Sequence, residues 1–383
     1  MGIYLDYNAS APIDERVLER MVDVYKMHIG NADSRTHNYG ENAREIVEIA
    51  RKQVASLLGV TSEEVFFTSG ATESNNIAIQ GLKNYAITSG KRHIITTAIE
   101  HKAVLETVKH MKLEGFEIDI VSPDYSGQVN LDDVLGRVRE DTLLVSVMHV
   151  NNETGIIQPV KQIGDELQKR KVLFHVDATQ SCGKLVDEVR ELNYNMLSFS
   201  AHKLRGPQGI GVLVLRKKGY KLPPVRSIMY GGQQEHNIRP GTIPVALVAG
   251  CGTACEIAEK EKDYNIKTVM AIKQRIISLL KASGLEYSIN GDASYCIDST
   301  LNICIKGVSS EALMISSKQY CGISNGSACT SKSYAPSYVL MAMGIPDDEI
   351  EESIRISWGA DLDIDEIEKE FKNLLEVAKQ IRG

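Results

Sequence analysis

Lys203 stands at the end of an apolar run, in "SFSAHKLRGPQGIG" (198–211). A buried ammonium is costly unless chemistry uses it. An earlier apolar run, "VLFHVD", ends on Asp177. In a sheet of strand–helix–strand units, two such ends meet at one edge. A lysine able to form an imine and an aspartate able to keep a pyridine nitrogen protonated are the two essentials of a pyridoxal phosphate site. The phosphate needs donors. "FTSGATESNN" places the amides of Ala71 and Thr72 at a helix start, where the helix dipole favours an anion. Ser200 and His202 add side-chain donors from the lysine strand. Alone, the Ser-Gly-Ala-Thr turn reads better as a helix cap. Three donor sources at one edge reverse that reading. A dinucleotide site fits poorly, because the "GPQGIG" turn leads into a strand and not a helix.

Further residues follow strand ends. His101 is placed to cover one face of a flat ring and move protons, or simply to start a helix. Asn152 and Gln180 are within reach of a cofactor hydroxyl or a substrate. Arg355, inside "SIRISW", needs a carboxylate, either of the protein or of an amino-acid substrate. Cys329, in "SNGSACTS", is flanked by small polar residues in a loop-like stretch (324–337), as a nucleophilic thiol should be. Cys182, Cys251, Cys255, Cys296, Cys304 and Cys321 lie in or beside apolar segments and read as small buried hydrophobes. No close-pair cysteine signature for a metal is present, so no metal is expected.

The elements that position these groups alternate along the first 240 or so residues. Strands are expected at 65–68, 93–98, 143–150, 172–177, 196–200 and 211–215, with helices such as "ESNNIAIQGLKNYAIT" and "VKQIGDELQKRK" between them. That order predicts an α/β fold with a mostly parallel sheet covered on both faces. Beyond, long helical patterns give way to the short strands "LNICI" and "SIRISW" and a closing helix from about Asp365, capped by Asp363 and Glu366. A smaller α+β domain is therefore expected, with the large domain over 14–255 and the small one over 1–13 and 256–383, carrying the cysteine loop. The net charge of −7, with no basic block, argues against direct nucleic-acid or membrane-surface binding. No signal peptide, myristoylation pattern or membrane-length apolar run is visible, which points to the cytoplasm.

Taken together, "YLDYNASAP", "FTSGATESNN", "EHKAV", "HVNNETG", "HVDATQ", "SFSAHKLRGPQGIG", "IRPGT", "SNGSACTS" and "IRISWG" resemble the cysteine desulfurases of the NifS/IscS-like branch, in the class V aminotransferase superfamily. The resemblance covers nearly the whole chain and implies the fold type I architecture of pyridoxal phosphate enzymes, with a seven-stranded sheet. It implies that Lys203 carries the cofactor, Asp177 faces the ring nitrogen, Gln180 contacts the ring hydroxyl and His101 stacks on the ring. Ala71, Thr72, Ser200 and His202 would bind the phosphate, with Thr242 supplied by the other subunit of a homodimer. Asn152 and Arg355 would hold the carboxylate of L-cysteine, and Cys329 would take the sulfur as a persulfide. A sulfur-acceptor or scaffold protein is the implied partner, for iron–sulfur cluster assembly or thio-modification such as tRNA thiolation. A selenocysteine lyase, another class V lyase or aminotransferase, and a catalytically silent scaffold or regulator are the alternatives. The sequence departs from the family pattern at Gln233, His236 and Asn237, at Ala32, and at Ser10-Ala11. None of these removes a catalytic group.

Overall fold

The computed structural model describes residues 2–326 and 336–382. A two-residue strand, β1 (Ile3–Tyr4), opens the chain, followed by β2 (Val65–Thr68), β3 (His93–Thr97), β4 (Glu117–Val121), β5 (Thr142–Met148), β6 (Leu173–Asp177), β7 (Met196–Ser200) and β8 (Gly211–Leu215). The last seven form one sheet in the order β2-β8-β7-β6-β5-β3-β4. Neighbours pair in parallel from β7 through to β4. Only β8 runs against both of its neighbours. Six of the seven coincide with the strands expected from sequence. The seventh, β4, is "EIDIV", whose alternating acids hid it. It lies at the sheet edge, where polar residues meet water.

Successive side chains in a strand point to opposite faces. Phe67, Val145, Val176 and Phe199 therefore enter a core with the helices Asn38–Leu58 and Val245–Lys260. Phe66, Leu144, Met196 and Leu213 enter a second core with the helices Ala71–Gln80 and Lys102–Leu113. The helical pattern expected over 73–88 is broken at Gly81-Leu82, between helices Ala71–Gln80 and Lys83–Ser89. There the Arg226 amide donates to the Gly81 carbonyl.

After the long helix Lys262–Ala282, β9 (Tyr287–Ile289) and β10 (Thr300–Ile305) pair in antiparallel fashion. A short strand, β11 (Cys321–Gly322), pairs in parallel with β1, and β12 (Ser353–Ser357) completes a three-stranded sheet on β10. The closing helix, Ile364–Arg382, starts after Asp363, whose Oδ1 accepts from the amides of Asp365 and Glu366. Its apolar face, including Phe371 and Leu375, packs with Ile303, Ile356 and Trp358 in a separate core. No helix among the described residues is long and apolar enough to cross a membrane.

Candidate active site

A cleft of about 560 Å³ opens at the C-terminal ends of β5, β6 and β7. Ala71, Thr72, His101, Asn152, Asp177, Gln180, Ser200, His202, Lys203 and Arg355 all line it. Thr242 is exposed and lies outside this lining. Cys329 falls outside the described residues.

Lys203 ends the short turn Ala201–Lys203 that follows β7. Its Nζ donates to the carbonyls of Asn8, at 2.6 Å, and Ala9, at 2.5 Å. Asp177 ends β6 and is buried. Its Oδ2 accepts from Asn75 Nδ2 at 2.7 Å, and its Oδ1 accepts from the amide and hydroxyl of Thr179. The carboxylate is thus fixed from two sides.

The anion-binding end forms where β2 turns into helix Ala71–Gln80. Gly70 has φ 155°, a conformation that side-chain-bearing residues avoid, so the helix begins with no side chain in the way. Gly211, opposite both Thr68 and Ser200 in the sheet, brings the two turns together. A Cβ there would stand 2.5 Å from the Gly70 Cα. His202 Nδ1 lies 3.2 Å from Ser10 Oγ, which also accepts from Gln208. A hydroxyl has one hydrogen and two lone pairs, so Ser10 Oγ serves both contacts whichever His202 nitrogen carries the proton. Burial, with the Lys203 charge beside it, pushes His202 down to about 4, so the ring is neutral at pH 7.

His101 is both things that its position allowed. It caps the helix Lys102–Leu113, with Nδ1 accepting from the Ala103 amide, and it lines the cleft. Burial lowers its pKa, against the pull of Asp177. An Nδ1 that accepts leaves the proton of the neutral ring on Nε2.

Arg355 is buried in β12 and bonds Asp6 at 2.5 Å and the Asn152 carbonyl at 3.1 Å. Burial raises the Asp6 pKa, while Arg355 and Lys203 act to lower it. Arg355 Nε and Asn152 Oδ1 are buried without a hydrogen-bond partner. These two orphaned groups, a donor and an acceptor, match a ligand carrying a carboxylate and an amine. With a helix N-terminus, two neutral donors, a fixed carboxylate and a lysine, the residues present fit pyridoxal phosphate and an amino acid.

Sequence reasoning overlooked Asp6, Asn8, Asn75, Thr179 and Lys184. Asn75 and Thr179 stand close in sequence to motif residues, and polar residues just after a strand end were the available signal. Asp6 and Asn8 stand in "YLDYNASAP", but they act through contacts at separations of 349 positions, to Arg355 and Ser357, which no local pattern announces.

Comparison with known proteins follows the same lines. The family described as Aminotransferase class-V matches residues 3–369. The chain is 43% identical to the protein named cysteine desulfurase IscS of Actinobacillus succinogenes, across 100% of this chain and 94% of that one. It is 44% identical to the protein of the same name from Pasteurella multocida, across 94% and 88%. Among solved structures, a NifS-like protein superposes with a TM-score of 0.90 at 35% identity, covering 99% of this chain and 100% of that one. DndA from Streptomyces lividans gives 0.81 at 40% identity, covering 92% and 98%. SspA in complex with cysteine gives 0.81 at 34% identity, covering 93% and 98%.

Proposed function

The chain belongs to the class-V aminotransferase family, in its cysteine desulfurase branch, and from that premise we propose how its own residues take sulfur from L-cysteine. The family is pyridoxal phosphate-dependent. The observation that carries the reading is the meeting of Lys203, Asp177 and the Gly70–Thr72 turn around one cleft.

Lys203 would hold the cofactor in the resting enzyme. Asp177, itself held by Asn75 and Thr179, would take the ring nitrogen. Gln180 would take the ring hydroxyl and His101 would cover the ring. The amides of Ala71 and Thr72, with Ser200 and His202, would hold the phosphate, and Thr242 of a second copy would complete that end in a homodimer. When bound, pyridoxal phosphate supplies an electron sink for the Cα of an amine substrate.

Arg355 binds the substrate carboxylate through its unpartnered Nε, and Asn152 joins it by turning its side-chain NH₂ to that carboxylate, because an amide oxygen cannot donate. Lys203 Nζ would take the substrate Cα proton, and His101 Nε2 would serve later proton transfers. The Cys329 thiolate attacks the substrate sulfur. The Cβ–S bond breaks, a sulfur–sulfur bond forms, Cβ takes up a proton, and L-alanine leaves. The persulfide passes to an acceptor or scaffold protein, for iron–sulfur cluster assembly or thio-modification, in the cytoplasm. We divide the chain accordingly into a cofactor-binding domain, 14–255, and a smaller domain, 1–13 and 256–383, that carries Cys329.

The test is Cys329→Ala. The purified variant should retain the cofactor and change its absorption spectrum on adding L-cysteine, yet release no alanine and carry no persulfide by mass spectrometry. Alanine release at the normal rate would overturn the assignment.

A further inference from the structure

Lys184 belongs to no element of the proposed mechanism, yet it bonds two residues that line the cleft, Gln180 and Asn8. It sits four residues after Gln180, in "DATQSCGKL", between β6 and the helix Val186–Arg190. Its Nζ reaches two side-chain oxygens, Gln180 Oε1 at 3.1 Å and Asn8 Oδ1 at 3.2 Å. A lysine nitrogen, charged or neutral, carries at least two hydrogens, enough for both.

An amide side chain can turn its oxygen and nitrogen either way, and only its partners decide. Gln180 has a donor on one side and an acceptor on the other. Lys184 meets its oxygen, and the Asn8 carbonyl accepts from its Nε2 at 3.0 Å. The second hydrogen of that NH₂ group is left for the cleft. Asn8 is oriented in the same way. With Oδ1 on Lys184, its Nδ2 donates to Thr300 Oγ1 at 2.9 Å and to the Asn152 carbonyl at 3.2 Å. The Asn8 backbone carbonyl also receives Lys203 Nζ, and the Asn152 carbonyl also receives Arg355 Nη1.

We propose that Lys184 is a positioning residue for the desulfurase reaction, fixing the Gln180 amide with its NH₂ toward the cofactor hydroxyl and fixing the Asn8 segment on which Lys203 rests. The inference rests on the reading of Gln180 given above. Its setting agrees with this role. Lys184 is half-buried, its Nζ meets two amide oxygens and no acid among the described residues, and burial, with Lys203 and Arg355 nearby, pushes its pKa down to about 7.

The experiment is a pH titration of the visible absorption band of the cofactor-loaded protein, without substrate, in four variants: Gln180→Ala, Lys184→Met, Lys184→Arg and the double variant Gln180→Ala/Lys184→Met. An N–H donor stabilises the ionised ring oxygen, so losing it moves the titration of the band, by about one pH unit. Gln180→Ala and Lys184→Met should each produce that shift, and the double variant should shift no further than Gln180→Ala alone. Lys184→Arg retains donors for both oxygens and should titrate close to the parent. If Gln180→Ala leaves the band unmoved, the reading of Gln180 fails. If Gln180→Ala moves it while Lys184→Met does not, or if the two shifts add, the inference about Lys184 fails. Should Lys184→Met not fold, Lys184→Ala, which likewise presents no donor, takes its place under the same criteria.

Discussion

Arg51 and Glu235 offer a stability test with an unusual signature. Their side chains are 7% and 2% exposed, and two bonds join them, at 2.7 and 2.9 Å. The pair also covers the open edge of β2. Arg51 Nη1 donates to the Val65 carbonyl, and Glu235 Oε2 accepts from the Phe67 amide, both at 2.7 Å. Removing either partner strands a buried charge, which costs about 3–5 kcal/mol. Each single change also leaves one edge group of β2 unsatisfied, about 1–3 kcal/mol more. Replacing both with methionine strands no charge. It leaves only the two backbone groups, partly offset by apolar packing, or about 2–4 kcal/mol in all. Arg51→Met and Glu235→Met should therefore each lower the urea midpoint of the apo-protein more than Arg51→Met/Glu235→Met does, at an unchanged denaturant slope. A double variant whose loss equals the sum of the singles would refute the reasoning, because independent contributions add and coupled ones do not. The same pair anchors Glu235, His236 and Asn237, three successive residues with φ of 46°, 51° and 65°, a backbone region that disfavours side chains.

His101→Asn keeps an acceptor at the helix cap but no imidazole, so the melting temperature should hardly move while alanine release falls about 100-fold or more; retained turnover sinks the proton-transfer role. Glu153 is buried against Ser337, and burial pushes it from 4.5 up to about 7. A raised carboxyl contributes stability that is full below pH 4.5 and lost as pH rises through 7. Glu153→Gln should thus gain on the parent between pH 5 and 8, by about 3 kcal/mol at most, in denaturation curves recorded across that range. Arg355→Lys keeps the charge and loses the fork, so KM for L-cysteine should rise about tenfold or more, and an unchanged KM would place the carboxylate elsewhere.

The strands that carry the site were legible because each ends an apolar run on a polar residue, as β6 does at Asp177 and β7 at Ser200. The cysteines assigned to apolar segments are buried, all six of them, since a thiol among aliphatics has nowhere better to go. β4 was not legible, because its burial pattern is that of an edge and its period carries acids at every other position. Asp6, Asn8 and Lys184 were not legible for a different reason. Each matters through a hydrogen bond to a distant partner, and nothing in a short window of sequence records such a bond. Arg355 sat between the two cases. Its need for a carboxylate was plain, but the carboxylate it finds in the fold is Asp6.

The amino-terminal dozen residues touch the lysine, the glutamine and the arginine of the cleft, and they also dock on β11 and β12. A ribosome makes those residues long before their docking strands. A nascent or truncated chain that has folded its large sheet but not β12 therefore lacks the Arg355 guanidinium and the Ser357 hydroxyl that helps to hold Asn8, although Asn8 still meets Gln180 and Lys184. The two ends of the chain are thus bound into one cleft, and a copy cut before β12 leaves Asp6 without its ion-pair partner.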